Sequence, residues 1–145
     1  MRIIPFQAGH VETLEIASET VSLDDRAALM KEAVLGPAWT AVMDDGQVIG
    51  SAGLRPVADR RGCFFAWAVF GPLLHSHRFS IHRHVYRFLH TLNGLEDYDR
   101  IEATIDLGNS RAREWAWSLG FRPTGKAFEW QGHPMLVVYL PKEVA

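Results

Sequence analysis

The chain has 145 residues, with 15 Lys and Arg against 17 Asp and Glu and a formal charge of −2. That length suits one domain, residues 1–145, large enough to build its own core. The charge balance excludes a protein that coats nucleic acid, and the single cysteine, Cys63, excludes an internal disulfide and a cysteine-based zinc site. No apolar run approaches the roughly 20 residues of a membrane span. The start, MRIIPFQAGHVETLE, turns acidic too early for a signal peptide. A cytoplasmic protein with no membrane partner is the expectation.

Arg2–Phe6 reads as a first strand. Val11, Leu14, Ile16 and Ala17 recur at loosely helical spacing, which predicts a helix over His10–Glu19. Ser22-Leu23-Asp24-Asp25 resembles a capping box with Asp in the place of Glu or Gln. It opens a second helix with Leu23, Ala27, Met30 and Val34 on one face, ended by Gly36-Pro37. Trp39–Met43 and Gln47–Leu54 are β-rich runs joined by Asp44-Asp45-Gly46, a hairpin signal. Arg55–Gly62 is polar and contains Pro56, so it reads as a loop. Cys63–Phe70, CFFAWAVF, is apolar throughout and of strand length, which predicts a central strand buried on both faces. Gly71-Pro72 stops it.

Ile81, Val85, Phe88, Leu89 and Leu92 form the narrow apolar stripe of an amphipathic helix, closed by Asn93-Gly94. Arg100–Leu107 is the next strand. Asn109 has the place of an N-cap for a helix over Arg111–Leu119, and Gly120 the place of its left-handed C-terminal residue. Phe121 then turns back into the core. Lys126–Trp130 and Met135–Leu140 are a last pair of strands. The order β-α-α-β-β-β-α-β-α-β-β implies a mixed α/β sheet, mostly antiparallel, with a parallel central pair and flanking helices.

Five of the seven histidines, His75, His77, His82, His84 and His90, fall within sixteen residues. Positions two apart on a helix point away from each other, so His82 and His84 do not converge on a metal, and no metal site is expected. The run HRFSIHRHVYR has the look of a basic patch, but histidines are mostly neutral at pH 7, and no nucleic-acid partner is expected. Trp115 and Trp117, two apart on one helix, do not share a face. One of them is therefore a candidate exposed contact for a ligand or a partner.

Asn109-Ser110-Arg111-Ala112 followed by Ser118-Leu119-Gly120-Phe121 resembles the Asn, Ala, Gly-Phe pattern of the acyl-CoA-dependent N-acetyltransferases, the GNAT superfamily. Asp45-Gly46 with Val48-Ile49-Gly50 is similar to another of its motifs, and the element order agrees along nearly the whole chain. The resemblance implies the GNAT fold, acetyl-CoA as co-substrate and a small-molecule or peptide amine as acceptor. It implies that the backbone of Ala68 and Val69 holds the pantetheine arm and that Arg78, Phe79, Ser80, Ile81 and His82 meet the pyrophosphate. Asn109 and Arg113 would line the other side.

Two departures from the family pattern stand out. The phosphate loop, ordinarily Arg/Gln-x-x-Gly-x-Gly/Ala, is His77-Arg78-Phe79-Ser80-Ile81-His82 here. Small residues let backbone N–H groups at a helix N-terminus approach phosphate, and the bulk of His82 obstructs that approach. Two readings follow: the Arg and His side chains replace backbone cradling by charge, or they are the solvated face of an amphipathic helix. The position of the family's tyrosine acid is Ala116, and the fourth strand carries no carboxylate base. Glu102 and Asp106 on the fifth strand are the nearest carboxylates, read as surface or capping groups. A loop without glycines beside a retained Asn…Gly-Phe helix also resembles, more narrowly, small acetyltransferase-like proteins of short-tailed bacteriophages. That likeness implies a catalytically silent interaction or virion-assembly protein, located in host cytoplasm or virion, as the alternative to an enzyme.

Overall fold

The computed structural model describes residues 1–12, 14–15, 31 and 33–142. Seven strands form one sheet: β1 (Arg2–Pro5), β2 (Ala38–Val42), β3 (Val48–Pro56), β4 (Cys63–Phe70), β5 (Arg100–Asp106), β6 (Arg122–Trp130) and β7 (His133–Tyr139). Their spatial order is β1-β2-β3-β4-β5-β7-β6. Every neighbouring pair is antiparallel except β4 with β5. The mixed α/β sheet with one parallel central pair is thus the fold the sequence predicts.

The hairpin between β2 and β3 turns at Gly46, whose φ of +91° suits a residue without a side chain. The crossover between β4 and β5 is helix α1 (Arg78–Asn93), which buries Ile81, Val85 and Leu89. Helix α2 (Ser110–Leu119) follows β5. The Asn109 side chain caps it by accepting from the Ala112 N–H at 3.1 Å, and Gly120 ends it at φ +104°. Phe121 is buried, as its position after the glycine predicts.

Both helices pack on one face of the sheet, over a core that includes Phe70, Ile81, Ile101 and Val138. A smaller cluster on the opposite face joins Val11, Ala33, Trp67 and Val69. On β2 and β3 the fully buried Thr40 and Ser51 hydroxyls bond each other at 2.8 Å, and Thr40 also bonds His10 at 2.6 Å. Two buried hydroxyls are satisfied in this way without water.

Several elements differ from the sequence reading. The predicted helix His10–Glu19 lies partly outside the described residues. Within them, Ala8–His10 is a short 3-10 turn, and Leu14 and Glu15 are not helical. Most of the second predicted helix is also outside. At its end Val34, placed on the apolar face by spacing, is exposed, and Ala33 is buried in its stead. Pro72–His77 is a 3-10 helix that runs without a break into α1. Strand β4 is not buried on both faces along its length: Phe64, Phe65, Ala66 and Ala68 are half-buried. The cause is the geometry of its neighbour.

The parallel pairing of β4 with β5 covers Cys63↔Arg100, Phe64↔Ile101 and Phe65↔Glu102, and stops there. Beyond that point β4 continues with β3 as far as Phe70, and β5 continues with β7 as far as Asp106. The two strands diverge, and a wedge opens between them. At its root sits Glu102, buried, with Arg100 Nε donating to one oxygen at 2.6 Å and Arg60 to the other at 3.3 Å. Burial by itself raises the Glu102 pKa. The Arg100 hydrogen bond and the charges of Arg100 and Arg60 outweigh it, and the carboxyl titrates below its ordinary value.

A folded pKa below the unfolded one stabilises the protein above the unfolded pKa, and that stability is lost as pH falls through the folded pKa. Glu102→Gln is expected to cost about 1–3 kcal/mol at neutral pH, the range for a hydrogen bond to a charged group. Urea unfolding at about pH 7 and about pH 3 checks this, because the gap between wild type and variant narrows as pH falls below the unfolded pKa toward the folded one.

Candidate functional site

The wedge is a slot of about 110 Å³. Its walls are small: Ala52 and Gly53 of β3, Ala66 and Ala68 of β4, Ala103 of β5, and Ala112 and Ala116 of α2 all line it. Alanine on facing elements is what lets two strands and a helix surround a narrow channel without filling it. Along Ala66–Phe70 the edge of β4 that faces β5 has no strand partner among the described residues. The N–H and C=O groups of Ala66, Ala68 and Phe70 therefore present the donors and acceptors of an open sheet edge, while those of Trp67 and Val69 face β3.

The slot is apolar with few polar groups. Asp106 is the one ionisable residue lining it; Thr104, Asn109, Trp67 and Trp115 are its other polar side chains. Trp67 is buried, and its indole N–H has no hydrogen-bond partner among the described residues. The ring packs with Val11, Ala33 and Val69 on the face of the sheet opposite the helices, 5.1 Å from Phe6.

A second cleft, about 370 Å³, lies between the N-terminal part of α1 and the outer face of α2. Leu74, Arg78, Phe79 and His82 form one side; Arg111, Glu114, Trp115 and Ser118 form the other. Phe79 is 87% exposed, an aromatic ring in solvent at a helix start. Trp115 borders both the slot and the cleft. Its indole packs on Phe70 with ring centres 6.0 Å apart, and Nε1 donates to His82 Nδ1 at 3.0 Å. That bond requires the His82 tautomer with a bare Nδ1. The His82 ring is thus turned across to α2 and joins the two helices.

The residues named from the sequence divide on the structure. Arg78, Phe79 and His82 come together in the cleft; Ala68 and Asn109 line the slot. Ser80 is exposed but borders neither. Ile81 is fully buried in the core, so its side chain meets no ligand. The Val69 side chain is buried on the opposite face of the sheet, and its N–H and C=O face Ser51 of β3, so Val69 does not reach the wedge as expected; the backbone of Ala68 does. Arg113 donates to the Leu107 carbonyl at 3.4 Å and lines neither cavity.

Arg111 takes the place expected of Arg113. Sequence reasoning missed it, although Arg111, Glu114, Trp115 and Ser118 recur at i, i+3, i+4 and i+7 and so share a helix face. Neither Trp115 nor Trp117 is the exposed contact expected; both are half-buried and pack against the core. His84 lies edge-on to Trp39 at 4.5 Å, away from His82, and burial lowers its pKa. Glu102 is buried rather than a surface group and pins the wedge; Asp106, half-buried, accepts from the Gly108 N–H as the capping reading has it, and also lines the wedge.

No family model matches the sequence, and no curated protein matches it. The fold does match solved structures. A putative phosphinothricin N-acetyltransferase superposes with a TM-score of 0.73 at 14% identity, covering 99% of each chain. The protein smu.2055 from Streptococcus mutans gives 0.72 at 15% identity, covering 96% of this chain and 98% of that one. A point variant of the spermidine N-acetyltransferase SpeG from Vibrio cholerae gives 0.66 at 13% identity, covering 97% and 94%. The fold is therefore the GNAT acetyltransferase fold. Among the described residues, no helix is long and apolar enough to cross a membrane.

Trp115→Phe keeps the ring on Phe70 and removes the donor to His82. It is expected to lower stability by about 1 kcal/mol, the net worth of one hydrogen bond. The same variant should move the His82 ring resonances in an NMR spectrum while leaving those of His84 in place.

Proposed function

We propose that the chain is a single-domain N-acetyltransferase that moves an acetyl group from acetyl-CoA to a small-molecule or peptide amine. The observation that carries this is the splay of β4 from β5 into an alanine-walled slot with an open strand edge. The backbone of Ala68, flanked by that of Ala66 and Phe70, would bond the amides of a pantetheine arm as a further strand would.

Phosphates would lie in the adjacent cleft. The 3-10 helix Pro72–His77 leads straight into α1, and its i→i+3 bonds claim backbone donors that an open phosphate loop leaves free. Side-chain charge from Arg78 and Arg111 would therefore carry more of the binding than in a glycine-rich loop. Phe79 offers an aromatic face for a base. This favours the first of the two readings of the His/Arg segment.

Chemistry would rest on holding the acyl carbon beside the amine, an effect that can supply roughly 7–11 kcal/mol of the barrier. Ala116, at the position of the family's tyrosine, brings no acid to the slot. The named activities of two fold neighbours, on spermidine and on phosphinothricin, both acetylate an amine. The catalytically silent reading has less support, because the tryptophan it needs as an exposed contact is half-buried. The bacteriophage likeness gains nothing from these neighbours.

Calorimetry with acetyl-CoA tests the reading. Binding is expected, with Arg78→Ala and Arg111→Ala each weakening it by roughly tenfold, about 1.4 kcal/mol. No heat at millimolar acetyl-CoA overturns the enzyme reading. Binding unchanged by either substitution overturns the phosphate assignment alone.

A further inference from the structure

We propose that Asp106 is the residue that selects the acceptor, and that the acceptor enters the slot as a cation. The inference rests on the acetyl-transfer reading for the word acceptor, but its observations are independent of acetyl-CoA. Among the described residues Asp106 is the sole ionisable side chain lining a mostly apolar slot. It stands at the last position of β5, four residues beyond the last residue paired with β4, Glu102. Ile101 and Ile105 pack in the core beneath α1 and α2. The strand alternation puts Glu102, Thr104 and Asp106 on the opposite side. Thr104 and Asp106 thus reach the slot from the face away from the phosphate cleft, which leaves the two ligands separate approaches.

The carboxylate is held in place. Oδ1 accepts from the Gly108 N–H at 2.8 Å, which fixes the turn into α2. Oδ2 lies 3.1 Å from His133 Nδ1, at the start of β7. A carboxylate has about four acceptor positions, so two such contacts leave room for a third partner. The Asp106 side chain is 27% exposed, and Met135 and Ile105 beside it are buried. A negative group on an apolar floor attracts an ammonium more strongly than one in open water. An anionic acceptor has no partner there: among the described residues no cation lines the slot.

Asp106→Asn keeps the turn acceptor and removes the charge, so fold and attraction separate. The probe is n-butylammonium, titrated into the ¹⁵N-labelled protein with the Gly108 amide and His133 ring resonances followed. A neutral twin, n-butanol, serves as control on the wild type and needs no variant. Butylammonium is expected to shift Gly108 and His133, butanol to leave both in place, and Asp106→Asn to abolish the response while the melting temperature and acetyl-CoA binding persist. Absence of the shift in wild type, an equal shift with butanol, or a shift that survives in Asp106→Asn overturns the proposal. A shift in a protein that does not bind acetyl-CoA would leave the cation site standing and remove the acetyl-transfer reading instead.

Discussion

The point at which β4 and β5 stop pairing governs everything else in this molecule. Three parallel register pairs hold the strands together, and each strand then follows its other neighbour. Had the pairing continued, the backbone of Ala66–Phe70 would be consumed and no slot would exist. Glu102 stands at the final paired position, and its two arginine partners come from the β3–β4 turn and from the first residue of β5. A buried carboxylate held by partners from two segments fixes where the sheet closes and where it opens. The alanines then keep the opening from filling.

The other end of the site departs from what a glycine-rich loop provides. Backbone cradling needs small residues and free N–H groups at a helix start. This chain enters α1 through a 3-10 helix, and its bulky His82 reaches across to Trp115. In the proposed acetyl-CoA site, Arg78 and Arg111 on the two sides of the cleft would take over from those backbone donors. One tryptophan separates that cleft from the slot, so the polar and apolar halves of the site share a wall. His82 is thus a structural link between the two helices.

Most of the frame was legible in the sequence because its signals are local. The Asp-Gly turn, the stripe Ile81–Val85–Leu89, the Asn109 cap and the Gly120 terminus each act within a few residues, and each is present as read. The wedge was not legible, because divergence of two strands is set by their outer partners and by a salt bridge spanning 42 residues, from Arg60 to Glu102. The same reason explains Asp106. Its sequence neighbours mark it as a turn residue, which it is, but only the register of β5 against β7 brings it to the slot beside His133. Arg111 was legible in principle: the helix periodicity that places Trp115 also places it, and only the family pattern drew the choice to Arg113.

The account stands on the β4 edge being a binding surface. Hydrogen–deuterium exchange with and without acetyl-CoA addresses it residue by residue. The amides of Ala66, Ala68 and Phe70, which face the open edge, are expected to gain protection when acetyl-CoA is added, while those of Trp67 and Val69, bonded to β3, stay as they were. Unchanged exchange at Ala66, Ala68 and Phe70 at saturating acetyl-CoA would contradict this.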